Sequence, residues 1–394
     1  MLSNFKFLKI GYLITLFGLL VYSFTQVDLN LTLSRFSLWQ IIEKFLQHVG
    51  FFNRPLSTDI YIILLLLLYI FYFCFLLMAV KKKITIKQVW FLIIGAVIIL
   101  AFSYNAFSYD LFNYMFDAKI LAYYGQNPFL HKPMDFAGDP WLNFMRWTHR
   151  YYPYGPSWLI LTVPLSFIGM NYFLITFFLY KFLMAISFFG SCYLIYKISE
   201  EIFPENSVFN LIFWGLNPLV LIEGLVSAHN DMPMAFFTLL FFYLFITKKY
   251  ISSTFSYVFS VGIKYATIVL FPILIFIFYL KRKGKQINWE KIFIACASLS
   301  LIAVIIATIR TTFQPWYLLY ILPFAAFISK KVYVFIPVVA ATIFSLIIYI
   351  PYVYLTDYDK SYPLIVSRIE IIGLVAVIFL FIFSLLYSLR MRSK

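Results

Sequence analysis

Long apolar runs alternate with short polar and basic segments along most of this chain. A helix needs about 20 predominantly apolar residues to cross the hydrocarbon core of a bilayer, and several runs approach or exceed that length. Within lipid, such runs form helices, because a helix satisfies its backbone polar groups internally. The pattern predicts an all-α polytopic membrane protein of about twelve transmembrane helices. We predict a single integral domain over residues 1–394.

Clusters of lysine and arginine at the ends of these runs predict the orientation of the chain. The clusters lie at 81–83, 248–249, 281–285 and 330–331. Because cytoplasmic loops are enriched in lysine and arginine, these positions predict the cytoplasmic side, with both termini on that side. We therefore expect a multi-pass protein of the cell membrane.

Two stretches depart from the transmembrane pattern. Residues 37–50 place apolar side chains on one face and predict an amphipathic helix lying in the membrane interface. Residues 108–157 form a long polar and aromatic stretch that holds four of the 16 acidic residues. Given the predicted orientation, this second stretch is a large extracytoplasmic loop with juxtamembrane helices, and we expect the active site there.

Composition narrows the classes of partner. The chain is 63% hydrophobic and has a formal net charge of +15. Because the positive charge is concentrated at helix ends, we assign it to cytoplasmic loops and anionic lipid headgroups, and we predict no nucleic-acid partner. The three cysteines lie in apolar runs without metal-ligand spacing, so we predict neither a metal site nor a cofactor.

Two acidic residues open the polar stretch. Asp110 and Asp117 are seven residues apart, which places them on one face of a helix. A carboxylate at the mouth of an apolar helix can act as a general base, since apolar surroundings raise its pKa. The alternatives are a solvated loop charge, or that Ser108 or Asp110 caps a helix through Tyr124 that is closed by Gly125 and Pro128. We take Asp110 and Asp117 as the candidate catalytic residues.

Ionisable residues at other predicted outer helix ends are candidates for substrate binding. Lys264 and Arg310 lie against the charge bias, which favours an anionic ligand such as a lipid phosphate. Snorkelling of these cations to headgroups is the alternative. The His229-Asn230-Asp231 segment lies at membrane depth, where ionisable groups are usually functional, although it could also cap the connection between helices.

Aromatic residues beside these groups suit either stacking on a sugar or anchoring at the membrane interface. They occur in the stretches YYPYGPSW, which begins at Tyr151, and FQPWYLLYILP, which begins at Phe313. The complete set of predicted substrate-binding residues is Arg150, Tyr154, His229, Asn230, Asp231, Lys264, Arg310, Gln314, Trp316 and Tyr317.

The order of five motifs is similar to that of a known family. They are SYDLFNYMFDAKILAYYGQNPF, YPYGPSW, NPLVLIEGLVSAHNDMPMAFF, SVGIKYATIVLFP and FQPWYLLYILPFA, within roughly 105–325. Together they resemble the bacterial and archaeal polyprenol-phosphate-mannose-dependent mannosyltransferases of the GT-C superfamily. One departure is that three predicted helices precede Asp110, whereas simpler members place the acid after the first helix.

The resemblance implies a GT-C-like bundle and a specific reaction. A hexose, mannose in particular, passes from a polyprenyl monophosphate donor to a hydroxyl of a glycolipid, glycan or protein acceptor. The reaction takes place on the extracytoplasmic face with inversion, and the family's catalytic acid falls on Asp110. A transporter or flippase of lipid-linked sugars, a glycan polymerase or ligase, and an assembly subunit remain as alternatives. A transporter would place its charges near the bilayer midplane in paired repeats, whereas here they gather at one predicted face.

Overall fold

The structure is a computed structural model that describes residues 5–356 and 359–392. Within these ranges the chain forms 17 α-helices and no β-strand, with short 3₁₀ and π segments between some helices. Helices α1 to α17 span Phe5–Ser23, Ser37–Gln47, Arg54–Val80, Ile86–Leu100, Asp110–Ala122, Pro156–Ile168, Phe173–Ile202, Ser207–Gly215, Pro218–Leu221, Asp231–Ile246, Tyr250–Ile263, Phe271–Arg282, Trp289–Arg310, Leu322–Phe327, Val332–Ile347, Tyr349–Leu355 and Tyr362–Arg392. The all-α prediction is confirmed.

Seven helical stretches in the described ranges are long and apolar enough to cross a membrane. They are Phe5–Gln26, Arg54–Val80, Phe173–Ile202, Tyr265–Arg282, Trp289–Arg310, Val332–Leu355 and Tyr362–Met391. A bent pair of helices, Pro204–Gly215 and Pro218–Val226, makes an eighth if it counts as one span. The chain is therefore a membrane-spanning protein, as predicted.

The predicted number of about twelve transmembrane helices is not confirmed. Three further apolar helices, α4, α6 and α10, have only 15, 13 and 16 residues. At 1.5 Å per residue they reach about 20 to 24 Å, short of the hydrocarbon thickness of about 30 Å. Apolar composition alone does not distinguish a short helix inside the bundle from one that spans the membrane.

The mainly apolar stretch 208–226 forms two helices rather than one continuous helix. Helix α8 ends at Gly215, and the side chain of Asn217 accepts a hydrogen bond from the backbone N–H of Leu219 to start the next helix. Pro218 lacks a backbone donor and disfavours a helical residue before it, so the two helices meet at an angle of 53°. A π segment, Ile222–Val226, then leads to His229.

The segment 108–157 is packed into the protein more tightly than a solvated loop would be. It contains helix α5 and the 3₁₀ turns Pro133–Asp135 and Pro140–Phe144, and it ends at the start of α6. Helix α5 is buried on nearly all sides and packs against α6 and α7. A separate hydrophobic core forms here from residues that include Leu111, Phe112, Met115, Phe116, Ile120, Trp141, Phe144 and Trp158. This core fixes the position of Asp110 at the first turn of α5.

The predicted amphipathic stretch 37–50 forms helix α2 followed by a π turn, His48–Phe52. Its apolar side chains are turned outward, with Ile41 and Phe45 each 67% exposed. Its carboxylate, Glu43, is buried and accepts a hydrogen bond from Trp39 Nε1. An apolar exposed face suits a helix in the membrane interface, and that location stays a prediction.

Candidate active site

A cavity of about 880 Å³ brings together side chains that are far apart in the sequence. Its walls come from the start of α5, the segment 146–154, the α11 end, the 307–320 region, and helices α16 and α17. Eight of the twelve predicted site residues line it. They are Asp110, Arg150, Tyr154, Lys264, Arg310, Gln314, Trp316 and Tyr317.

Asp110 is the predicted catalytic carboxylate that lines this cavity. It is the first residue of α5, where the positive end of the helix dipole favours a negative charge. Its side chain is 15% exposed, and its Oδ2 accepts a hydrogen bond from the Tyr114 hydroxyl at 3.4 Å. The residue at the N-cap is Tyr109, and no side chain caps the helix there, so the alternative role of Asp110 as a cap is not observed. Asp110 therefore presents a partly exposed carboxylate to the cavity.

His229 lies directly behind Asp110 and is fully buried. Its Nδ1 is 3.3 Å from Asp110 Oδ2, and its Nε2 is 3.3 Å from Glu223 Oε2. Neither contact has the geometry of a hydrogen bond, so we describe both as ion pairs. Burial lowers the pKa of His229, but the carboxylates of Asp110 and Glu223 outweigh that effect and raise the pKa to about 9.

Trp316 connects His229 to the cavity. Its ring stacks on the imidazole with centroids 3.9 Å apart and an angle of 21° between the planes. Trp316 was predicted to bind substrate, and it does line the cavity. Its ring also packs against His229 from the cavity side. His229 and Asn230 do not line the cavity. The Tyr114 hydroxyl lies 3.3 Å from Asn230 Oδ1, so its single proton is shared between that oxygen and Asp110 Oδ2.

Lys264 forms an ion pair with Asp231, a residue that also does not line the cavity. Lys264 Nζ donates to both carboxylate oxygens of Asp231 at 2.9 Å. The Asp231 side chain is fully buried, whereas that of Lys264 is 18% exposed. Lys264 therefore faces the cavity with its charge largely compensated, which changes its predicted role as a free cation for an anionic ligand.

Arg310 presents an uncompensated charge. It is the last residue of α13 and is exposed, and it forms no ion pair with any residue in the described ranges. The neighbouring turns of α13 expose Ile305, Ile306 and Ile309. A cation at the end of a lipid-facing apolar helix suits a ligand with a phosphate and a hydrocarbon tail.

Asp117 does not reach the cavity. It shares a face of α5 with Asp110, but seven residues correspond to about 10 Å along the helix axis. It is buried, and desolvation followed by the nearby charge of Asp110 raises its pKa well above the usual range. The prediction that Asp117 is a catalytic residue therefore finds no support in its position, because it faces protein rather than the cavity.

A close backbone contact aligns two of the cavity walls. A Cβ atom on Gly155 would lie only 2.3 Å from the carbonyl oxygen of Gly262. No larger residue fits at Gly155, and the contact holds the start of α6 against the end of α11. Tyr154 and Lys264 are close to these glycines in the chain, and both line the cavity.

Sequence reasoning missed one whole wall of the cavity. Helices α16 and α17 contribute Tyr352, Tyr362 and Glu370, and the polar segment contributes Arg146 and Trp147. The Arg146 guanidinium lies 4.4 Å from the centroid of the Tyr109 ring. A carboxylate such as Glu370 within a long apolar helix was the available signal, since such groups usually face a functional cavity.

The positions of the described side chains also show whether any group of them could bind a metal ion. No group of three or more histidine, cysteine, aspartate or glutamate side chains there is arranged to hold a metal ion.

Comparison with known proteins gives one match. The family model described as "Alpha-(1->6)-mannopyranosyltransferase, N-terminal domain" matches residues 34–280, more than half of the chain. The matched range includes Asp110, His229 and Lys264 but ends before Arg310 and Trp316. No curated protein and no solved structure matches the chain. The match confirms the resemblance to GT-C mannosyltransferases that the motifs indicated.

Proposed function

Because this chain belongs to the α-(1→6)-mannopyranosyltransferase family and is therefore a glycosyltransferase, we propose that it transfers mannose from a polyprenyl monophosphate donor. The acceptor is a hydroxyl of a glycolipid or glycan on the extracytoplasmic side of the cell membrane. The observation that carries the proposal is the cavity in which Asp110, Arg310 and several aromatic rings meet at the end of a lipid-facing helix.

The reaction is a direct displacement at the anomeric carbon. The acceptor oxygen forms the new glycosidic bond while its proton passes to a carboxylate oxygen of Asp110. The bond from the anomeric carbon to the phosphate oxygen breaks, and the phosphate leaves with the electron pair. Arg310 stabilises the charge that develops on the departing phosphate, with Arg150 as a further cation in the cavity lining.

The surroundings of the cavity suit both substrates. The polyprenyl tail of the donor lies along the apolar surface of α13 that ends at Arg310. Sugar rings stack on aromatic faces, and Trp147 and Trp316 line the cavity. The family description supports an α-(1→6) linkage in the product. The protein uses no organic cofactor in this scheme.

The stereochemistry of the product tests the proposal. A purified sample in nanodiscs receives a synthetic polyprenyl phosphate with β-linked mannose and octyl α-mannoside as the acceptor probe. We expect an α-linked disaccharide, because a single displacement inverts the anomeric centre. The anomer is read by NMR, with empty nanodiscs as the control. A β-linked product would contradict a direct displacement assisted by Asp110.

We expect Arg310→Gln to raise the KM for the lipid donor by roughly ten- to a hundredfold, since hydrogen bonds to charged groups contribute about 1.5–3 kcal/mol. Thermal stability should not change, because Arg310 is exposed. The matched control is Arg368→Gln, which removes an exposed arginine outside the cavity lining. An unchanged donor KM in Arg310→Gln would remove this residue from phosphate binding.

The companion variant Lys264→Gln is expected to behave differently. It leaves the buried Asp231 carboxylate without its cation, so the protein loses stability as well as donor affinity. The double variant Lys264→Gln/Asp231→Asn also removes the unpaired negative charge of Asp231 and should recover part of the stability. Differential scanning fluorimetry and donor titration on the same samples separate the two effects.

A further inference from the structure

A buried chain of polar groups leaves the cavity at Asp110 and returns to it at Tyr349. Asp110 Oδ2 contacts His229 Nδ1, and His229 Nε2 contacts Glu223 Oε2, each at 3.3 Å. The other oxygen of Glu223 accepts a hydrogen bond from the Tyr349 hydroxyl at 2.9 Å. Asp110 and Tyr349 both line the cavity, whereas His229 and Glu223 have no exposed surface.

We infer that His229 is a buried imidazolium held between two carboxylates, and that with Glu223 it positions the Asp110 carboxylate for proton transfer. The positioning role rests on the proposed function, in which Asp110 is the base. His229 and Glu223 are positioning residues, since neither contacts the cavity.

The position of one carboxylate at each ring nitrogen favours the charged form. A neutral imidazole has one N–H and one lone pair, so it would turn its lone pair towards one of the two carboxylates. Only the imidazolium presents a proton to each oxygen. The Trp316 ring on the face of the imidazole also favours a cation there. The raised pKa of His229 agrees with this geometry.

An imidazolium in this place cannot itself be the general base. Both of its nitrogens already carry protons, so it has no lone pair to accept another. Its effect is to hold one oxygen of Asp110 on the protein side, together with the Tyr114 hydroxyl. The second oxygen of Asp110 is left for the acceptor hydroxyl in the cavity.

The backbone fixes Glu223 and His229 relative to each other. The His229 N–H donates to the Glu223 carbonyl oxygen at 3.1 Å, and Ala228 between them adopts a φ of +59°. Lys181, buried in α7, donates to the carbonyl oxygens of Leu225 and Val226 and to Ser103 Oγ. π segments such as 222–226 are frequent at functional sites. The hydrogen bonds from Lys181 hold the C-terminal end of this one in place.

The titratable groups around the ring come from several elements. Asp110 on α5 and Glu223 on the π segment contact the ring nitrogens directly. Asp231 at the start of α10 is already paired with Lys264. The hydroxyls of Tyr114 and Tyr349 contact the two carboxylates and not the ring.

The charge of His229 can be measured without any enzymatic activity. The chain contains only four histidines, so ¹⁵N-histidine labelling gives a simple spectrum, and His229→Gln identifies the signal. In nanodiscs we expect both ring nitrogens of His229 to be protonated at pH 7.5 and to titrate near pH 9. A neutral His229 at pH 7.5 would overturn the proposal.

Variants identify the cause of the charge. Glu223→Gln keeps the size of the side chain but removes one carboxylate, so the titration of His229 should move down by at least about one pH unit. Glu201→Gln, an exposed glutamate, should leave it unchanged. If Glu223→Gln does not fold, Asp110→Asn removes the carboxylate on the other side of the ring and should produce the same direction of shift. An unchanged titration in the folded variant contradicts the proposal.

The pH profile of transfer tests the positioning role. The charged form exists below the pKa of His229, so kcat should fall as the pH rises through that value. In Glu223→Gln the fall should begin at lower pH, with little change in donor KM. An identical profile in the wild type and Glu223→Gln would exclude a positioning role. If no sample transfers mannose while the NMR titration is as expected, the proposed function fails and the charge assignment stands.

Discussion

Replacing Asp110 with asparagine is expected to lower the rate of mannose transfer at least about a hundredfold, the lower end of what a general base contributes. Asparagine keeps the size of the side chain and can still accept the hydrogen bond from Tyr114. It cannot take the proton of the acceptor hydroxyl. The protein should fold, because Asp110 does not cap α5 and is partly exposed.

The measurement is the initial rate of transfer from polyprenyl phosphate [¹⁴C]mannose, with donor binding checked in parallel. Asp117→Asn is the matched control, since it makes the same change on the same helix away from the cavity. We expect the control to be much milder. Near-normal turnover in Asp110→Asn would remove Asp110 from the mechanism. A collapse in Asp117→Asn or Asp231→Asn instead would assign the base to that residue.

The second large effect concerns the stability of the polar segment. Lys119 and Asp139 form an ion pair at 2.5 Å, and their side chains are 2% and 1% exposed. Asp139 also accepts a hydrogen bond from the Tyr124 hydroxyl at 2.6 Å, and Lys119 Nζ lies 4.0 Å from the centroid of the Trp141 ring. This pair connects α5 to the 3₁₀ turn at 140–144 and so holds the segment in place.

Lys119→Met should destabilise the protein by about 3–5 kcal/mol, because it leaves the Asp139 carboxylate buried without a cation. The double variant Lys119→Met/Asp139→Leu should recover much of this loss, since apolar side chains often replace a buried ion pair with little cost. Lys197→Met, which breaks the exposed pair with Glu200, is the control and should have no measurable effect. Thermal unfolding in detergent gives the comparison. Equal midpoints for Lys119→Met and Lys197→Met would contradict the structural role of the pair.

Much of the helical framework could be predicted from the apolar runs. The apolar run at 232–247 forms the helix Asp231–Ile246, and the run at 251–263 forms the helix Tyr250–Ile263. Gly125, predicted to end α5, adopts a φ of +64° just after it. These boundaries are set locally, by polar residues and glycine at the ends of apolar segments.

Other features of the fold depend on tertiary contacts that no local pattern reveals. The pairing of Lys264 with Asp231 joins residues 33 positions apart. The wall formed by α16 and α17 reaches the cavity because α17 packs against α15 and α16. The predicted number of about twelve membrane spans is not confirmed, because the apolar helices α4, α6 and α10 are shorter than a full span.

The residues that line the cavity were easier to predict from the sequence than the contacts between the buried residues next to it. Placing the polar motifs on one face of the membrane predicted which segments meet, and eight of the twelve residues do meet there. The position of Glu223 against His229, by contrast, follows from a π segment and a residue with positive φ. Neither feature has a sequence signature strong enough to predict it.

The identity of the donor tests the central proposal most directly. Purified protein in nanodiscs is given octyl α-mannoside and [¹⁴C]mannose supplied either on a polyprenyl monophosphate or as a GDP-linked nucleotide sugar. We expect labelled product from the lipid donor and none from the nucleotide donor. Product from the nucleotide donor alone would contradict the proposal that a lipid phosphate leaves from this cavity.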